Sequence, residues 1–323
     1  MSSAVNPVRS DKSQGLEDVL DGCPHTAAVV RAVLELWPEH FDYCCARFRG
    51  GMSEFERRMD AVSELVLART GADLAGYAGD YRWMCERFVE EELVFRRTGA
   101  YRLSTFEQAY NEVYGQPEYM SKYVRGILIS QVIWEPHARA FDYFRTAFLP
   151  RLPSSGSYLE VGPGHGLFLY FAARTPALGI LEAWDVSESS IVETTAALQR
   201  LGVERNIQMV RQDILAADAP QSAFDGAVIS EVLEHLERPD LALDCLRRAL
   251  RPGGRIFINA PVNSPAPDHI YNWSSPDAFR QFVIDRGFEI EDMELFPVTG
   301  ARLETALKKD LSISCVVIGR APG

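Results

Sequence analysis

The sequence predicts a doubly wound α/β fold behind a mainly helical N-terminal domain, and three observations carry that reading. From about residue 156 onward, short runs rich in β-branched and aromatic residues alternate with helical patterns, as a parallel sheet with helices on both faces requires. Before residue 150 the apolar residues recur three and four apart, the spacing of helices with one buried face. Between the two halves, Pro150, Pro153 and Ser154-Ser155-Gly156 mark a boundary. The expected organisation is a disordered polar tail over 1–20, a helical domain over 21–150, and an α/β domain over 151–323.

In order along the chain, Ala27–Trp37, Glu54–Arg69 and Asp80–Glu92 read as amphipathic helices. Leu93–Leu103 reads as two short strands joined at Thr98-Gly99, and Ile129–Phe148 as one long helix. Seven strands then follow at Tyr158–Val161, Ile180–Asp185, Ile207–Arg211, Phe224–Ser230, Arg255–Ala260, Phe288–Phe296 and Ser312–Arg320. Helices begin at Leu167, Glu188 and Pro276, and another runs to Leu250. Ser275 before Pro276 reads as a helix cap. No helical pattern separates the last two strands.

Bulk properties exclude several classes. The 323 residues are 47% hydrophobic, normal for a globular protein. No apolar run is long enough to span a bilayer, and the first residues lack the apolar core of a signal peptide. The six cysteines are scattered without a C-x-x-C pair, which fits reduced thiols in a cytoplasmic setting and argues against structural zinc. The net charge of −12 opposes a large nucleic-acid footprint.

The most informative stretch is Tyr158-Leu-Glu-Val-Gly-Pro-Gly-His-Gly-Leu167. It reads as a buried strand, a glycine turn and a helix. Gly162, Gly164 and Gly166 allow a sharp turn and a close approach to a ligand. Glu160 would repel a phosphate, and no Lys-Ser/Thr follows the turn, so a P-loop is disfavoured. A carboxylate at that place suits a cationic cofactor. The stretch matches E/D-x-G-x-G-x-G and resembles the first motif of the class I S-adenosylmethionine-dependent methyltransferases. That resemblance covers about residues 155–320 and implies a seven-stranded Rossmann-like sheet with an antiparallel closing pair.

Further segments carry the same resemblance. Asp185, with Val186 after it, closes the second strand where an acid can accept hydrogen bonds from ribose hydroxyls, in this family or in a nicotinamide site. Asp213 and Ile214 stand where the family meets adenine, Ser230 and Glu231 where it lines the methionine moiety, and Leu250-Arg-Pro-Gly-Gly254 is a frequent family turn. A nicotinamide-dependent dehydrogenase is disfavoured by Glu160 and the Asp213 segment. The helical half followed by the 93–103 pair resembles the winged-helix dimerisation domain of plant-type and antibiotic-tailoring O-methyltransferases, which implies a homodimer through that domain. A plain helical cap is the alternative.

Two loops at the carboxyl edge of the sheet carry the candidate chemistry. Glu231-x-x-Glu234-His235 follows the fourth strand, and His269 lies after the fifth. Glu231, His235 and His269 are candidate catalytic residues, either histidine serving as base. The E-x-x-E-H pattern is similar to that of ubiquinone-biosynthesis O-methyltransferases and small-RNA 2′-O-methyltransferases. There it implies a divalent metal on the residues matching Glu231, Glu234, His235 and His269. The same pattern also occurs in metal-free relatives, where it caps and packs a helix. Tyr119, Tyr123, Tyr271 and Trp273 are candidate walls of a substrate pocket. Trp134, in its apolar helix, reads as core.

The reading is S-adenosylmethionine-dependent methyl transfer to a small molecule, a secondary-metabolite or biosynthetic intermediate, with oxygen favoured as acceptor. Alternatives are C- or N-methylation of an indole-type or keto-acid substrate, an RNA or protein methyltransferase, and a non-catalytic cofactor-binding module.

Overall fold

The structure is a computed structural model. It describes residues 7–216 and 220–323, with side chains from residue 13 onward. The expected disordered tail is corrected from residue 7: α1 spans Pro7–Gly22. Leu16 and Val19 are buried on one side of it, against α2 (Pro24–Leu36) and α3 (Phe41–Arg47). A stripe of that spacing gains more by docking than the polar residues around it gain from water. Residues 1–6 lie outside the described residues.

Next come α4 (Glu54–Thr70), capped by Ser53, and α5 (Leu74–Thr98). The strand pair expected over 93–103 does not form. α5 runs on to Thr98, supported by an Arg96–Glu92 pair one turn apart at 2.6 Å, and stops at Gly99 in a left-handed conformation (φ 73°). Among the described residues the N-terminal half holds no strand, so the winged-helix expectation gives way to the helical cap.

After α6 (Phe106–Ala109), which opens on a Thr105–Gln108 capping box, a widened turn covers Tyr110–Tyr114. α7 (Pro117–Ile133) and α8 (Glu135–Tyr143) follow. The single helix expected over 129–148 is broken at Trp134. That residue is extended (φ −89°, ψ 121°), and Pro136 has no N–H to continue the ladder.

The second half begins with β1 (Gly156–Val161), α9 (Leu167–Ala173), β2 (Leu178–Asp185), α10 (Glu188–Arg200), β3 (Gln208–Arg211) and β4 (Phe224–Ser230). It ends with α11 (Pro239–Ala249), β5 (Leu250–Val262), α12 (Pro276–Asp285), β6 (Glu289–Pro297), α13 (Leu303–Lys308) and β7 (Ile313–Arg320). Short α13, with Ala306 buried, stands where no helix was expected.

The seven strands lie in the order β3-β2-β1-β4-β5-β7-β6. The first five are parallel, and β7 pairs antiparallel with both β5 and β6. The order reverses at β1, so the loops after β1 and β4 part there and open a crevice at the carboxyl edge.

Each face of the sheet is covered. Leu159, Val161, Ile229, Ile256 and Ile258 pack with α11 and α12. On the other face Tyr158, Val228, Phe257 and Ile318 join α9 and the N-terminal helices in one continuous core that reaches back to Leu16. The helical half is therefore packed on the sheet, beside the carboxyl edge.

Candidate active site

The glycine turn leaves β1 with Gly162, Gly164 and Gly166 at φ 65°, 48° and 77°. A Cβ on Gly162 would stand 2.6 Å from Val232 Cγ2, so only glycine lets the turn lie against the loop after β4. A Cβ on Gly164 would meet nothing nearer than 3.9 Å, which leaves open space above the turn. Thr194 Oγ1 fixes the turn from α10 by donating to Gly164 O at 2.7 Å. From the helical half, Arg69 Nη1 donates to His165 O at 2.7 Å.

Glu160 is buried beneath the turn, where its Oε2 accepts from Tyr158 Oη at 2.7 Å. Burial pushes its carboxyl up to about 8. Asp185 ends β2 and accepts from Ser187 N at 2.9 Å, and burial raises its pKa. Val186 beside it is 53% exposed, an apolar surface at the rim. Asp213 accepts from Leu215 N at 2.8 Å. Ile214, expected to cover adenine, is 6% exposed and belongs to the same core cluster as Trp184. Ser230 Oγ accepts from Asn259 Nδ2 at 3.0 Å.

The loops after β4 and β5 meet at Glu234, His235 and His269, whose ligand-type atoms all lie within 4.8 Å of one another. Glu231 stands outside that group. Its backbone is left-handed (φ 54°), and its Oε1 accepts from Asn259 Nδ2 at 2.9 Å. Glu234 is fully buried, and neither carboxyl oxygen accepts a hydrogen bond from a neighbouring residue's N–H or hydroxyl. The neighbouring group is the Glu231 carboxyl, which shares a hydrogen bond with Glu234 only when one of the pair is protonated. Burial and this like-charged neighbour raise Glu234 well above the usual carboxylate range, and burial raises Glu231 to about 7.

His269 Nδ1 lies 2.6 Å from Ser264 O, an acceptor only, so Nδ1 carries the proton and Nε2 the lone pair. That Nε2 stands 4.0 Å from Glu234 Oε1, and His235 Nε2 stands 3.7 Å from the same atom. Burial lowers His269 to about 4, so its ring is neutral at physiological pH.

The expected substrate aromatics divide. Trp273 is a core residue, 4% exposed, with Phe279 and Phe282 at 5.1 and 5.3 Å. Tyr271, half-buried, lies on it at 4.8 Å, so Trp273 belongs to the core rather than to a pocket wall. The helix begun at Ser275-Pro276 folds over them. Tyr123 is buried, and its hydroxyl donates to Asp268 Oδ1 at 2.8 Å. Tyr119 lines a cavity of about 280 Å³ with Arg87, Arg102, Val113 and Pro267.

Sequence reasoning missed Tyr114, Asp268 and His137. Tyr114 Oη lies 3.0 Å from His235 Nδ1, and His137 Nδ1 lies 2.9 Å from Ser130 Oγ. The one available signal was Asp268, adjacent to a histidine already singled out.

Residues 134–292 match the family model for a methyltransferase domain. That segment is a class I S-adenosylmethionine-dependent methyltransferase domain.

The match to this methyltransferase family is mirrored in individual relatives. A ubiquinone biosynthesis O-methyltransferase of Xylella fastidiosa is 29% identical over 133 residues, 39% of this chain and 53% of that protein. An O-methyltransferase of Pyrenophora dematioidea is 29% identical over 158 residues, 43% of this chain and 56% of that one. A ubiquinone/menaquinone biosynthesis C-methyltransferase of Pasteurella multocida is 32% identical over 94 residues, 28% and 35% of the two chains. The chain thus spans about half the length of the first and a third of the last. Among solved structures, an S-adenosylmethionine-dependent methyltransferase of Mesorhizobium loti has a TM-score of 0.44 at 21% identity, covering 56% of this chain and 97% of that one.

The methyltransferase cofactor, S-adenosylmethionine, suits the residues at the carboxyl edge. The space above Gly164 admits a ligand against bare backbone. Asp185 is an acceptor at the end of β2, and buried Glu160 is a carboxyl that a cationic group bound beside it would ionise. A divalent metal also suits the Glu234 cluster, since a buried carboxyl oxygen, Oε1, without a hydrogen-bond partner lies near the Nε2 atoms of both His235 and His269.

Proposed function

We propose that this methyltransferase methylates a hydroxyl oxygen of a small molecule, a secondary-metabolite or biosynthetic intermediate. The observation that carries the reading is the buried Glu234 carboxylate, without a donor and facing His235 and His269. Two relatives named as O-methyltransferases support it. The net charge of −12 speaks for a small acceptor over RNA, and six unpaired cysteines suit a reducing compartment such as the cytoplasm. No helix among the described residues is long and apolar enough to cross a membrane.

S-adenosylmethionine, when bound, supplies a methyl group already activated on a sulfonium, so the chain needs no nucleophile of its own. The glycine turn and Asp185 would hold it. A divalent ion on Glu234, His235 and His269 would lower the pKa of an acceptor hydroxyl. The chain's own task is then to align the acceptor oxygen and keep it unprotonated. The cavity beside Tyr119 and Pro267 adjoins the loop that carries His269 and is a candidate seat for the acceptor's body.

The test is transfer of an isotopically labelled methyl group to catechol-type and indole-type acceptors, with and without chelator. The expected outcome is label on oxygen, loss of turnover in chelator, and recovery with Mg²⁺ or Mn²⁺. Full turnover in chelator would reject the metal. Label on carbon would favour the second reading, C-methylation, which one relative's name supports.

A further inference from the structure

We propose that Tyr114 and Asp268 are positioning residues that lock His235 as its Nδ1–H tautomer and aim its Nε2 lone pair at Glu234. The inference rests on reading Glu234, His235 and His269 as the working cluster. It adds that the helical half completes the site.

Three oxygens stand around His235 Nδ1: Tyr114 Oη at 3.0 Å, Asp268 O at 3.2 Å and Asp268 Oδ2 at 3.5 Å. A backbone carbonyl only accepts, as does a carboxylate. The Tyr114 hydroxyl has one proton, and it lies 3.0 Å from Asp268 Oδ2, to which it donates. Were that proton turned to Nδ1 instead, the hydroxyl oxygen would face Oδ2 with no hydrogen between them, and the Nδ1 lone pair would face the Asp268 carbonyl. Both contacts would be repulsive. With the proton on Nδ1, the contacts at that nitrogen are satisfied, and Nε2 is left as a lone pair 3.7 Å from Glu234 Oε1. His269 reaches the same tautomer through Ser264 O.

Asp268 is itself held from the helical half. It is 2% exposed, and its other oxygen accepts from Tyr123 Oη at 2.8 Å. The widened turn that ends at Tyr114 departs from regular helix at the site, a distortion often retained where a side chain must be aimed. The same segment is fastened to the site loops at two further points. Phe106 N donates to Glu237 Oε1 at 2.8 Å, and Tyr101 Oη bridges Ser264 N and Asn272 Oδ1, each at 3.0 Å. Groups that hold the far nitrogen of a ligand imidazole commonly change metal affinity 10–100-fold when removed.

The test is ¹⁵N NMR of the imidazole tautomers in the metal-free full chain at neutral pH, with His235 identified by the signals lost in His235→Gln. The expected wild-type result is the Nδ1–H form. Tyr114→Phe and Asp268→Asn are each expected to shift His235 toward Nε2–H while S-adenosylhomocysteine affinity, measured calorimetrically, stays unchanged. A wild-type Nε2–H form, or an unaltered tautomer in both variants, would overturn the proposal. Mn²⁺ titration gives the second readout, with about 10- to 100-fold weaker binding expected for Tyr114→Phe. If the wild type binds no Mn²⁺, the metal reading fails alone, and the tautomer still decides the positioning role. If the wild type binds and Tyr114→Phe binds equally well, the positioning role fails.

Discussion

Glu160 and Asp185 show how single carboxyls are tuned by where the chain ends its strands. Glu160 has its pKa raised from 4.5 to about 8, chiefly by burial. A carboxyl whose folded pKa is raised favours the folded state most when protonated. Its contribution is therefore present below about pH 4.5 and lost as pH rises through about 8. Glu160→Gln removes that loss. The variant's melting temperature should gain on the wild type as pH climbs across this window, and level off above it. Saturating S-adenosylhomocysteine, which brings a cationic ammonium, should narrow the gap. A gap independent of pH would show that Glu160 is already ionised in the folded protein. For Asp185, replacement by alanine removes an acceptor expected to meet two ribose hydroxyls. Calorimetry should show affinity for S-adenosylhomocysteine falling by more than about ten-fold, at roughly 1.5–3 kcal/mol for hydrogen bonds to a charged group. Unchanged affinity would remove Asp185 from the cofactor site. At this scale the sequence was legible where a residue type was unusual for its place, as with Glu160 under a glycine turn. Tyr114 was illegible, because a tyrosine in a polar helical stretch looks alike whether it faces solvent or a histidine 121 positions away.

Among the elements, those with strong periodicity or fixed turn chemistry were readable. Among the parallel strands, β1 and β4 are largely buried on both faces and read as apolar runs, and Ser275-Pro276 opens α12 as its composition predicts. The 93–103 segment misled, because Val94, Phe95 and Tyr101 favour strands locally while the rest of α5 and its Arg96–Glu92 pair extend the helix. The break at Trp134 was visible in Pro136 but outweighed by the apolar pattern around it. The glycine turn gives the sharpest prediction at this scale. Gly162→Ala combines a left-handed φ of 65° with a contact of 2.6 Å to Val232. The strain is about 1–2 kcal/mol from the backbone alone, and relief requires the turn to move away from the loop that carries Ser230 and Glu231. A lower melting temperature and weaker cofactor binding are expected together. Weaker binding without a loss of stability would mean that the turn relaxes freely and that only the ligand feels the methyl group.

For the molecule as a whole, the decisive fact is that the helical half and one face of the sheet share a single core. Val30, Val62, Met84 and Ile129 from the helices are continuous with Phe141, Phe144 and Phe168, and these with Tyr158 and Phe257 of the sheet. The boundary at Pro150–Gly156 is real in the chain's composition but marks no gap in packing, which composition alone does not report. The hydrogen bonds from Tyr101, Tyr114 and Tyr123 to the site loops cross the same join. Such a join couples the two halves in unfolding as well as in function. Trp37, Trp83 and Trp134 lie in the helical half, Trp184 and Trp273 in the sheet half. Variants retaining only the first group or only the second, with the other tryptophans replaced by phenylalanine, would report each half separately. Coincident thermal midpoints by fluorescence within each variant, matched to that variant's loss of helical circular dichroism, are expected of one cooperative unit. If the helical half melted first, the site would lose Tyr114 and Tyr123 before the sheet opened. Cofactor binding should then survive to a higher temperature than the ordering of His235, and the shared core would be too weak to bind the halves into one transition.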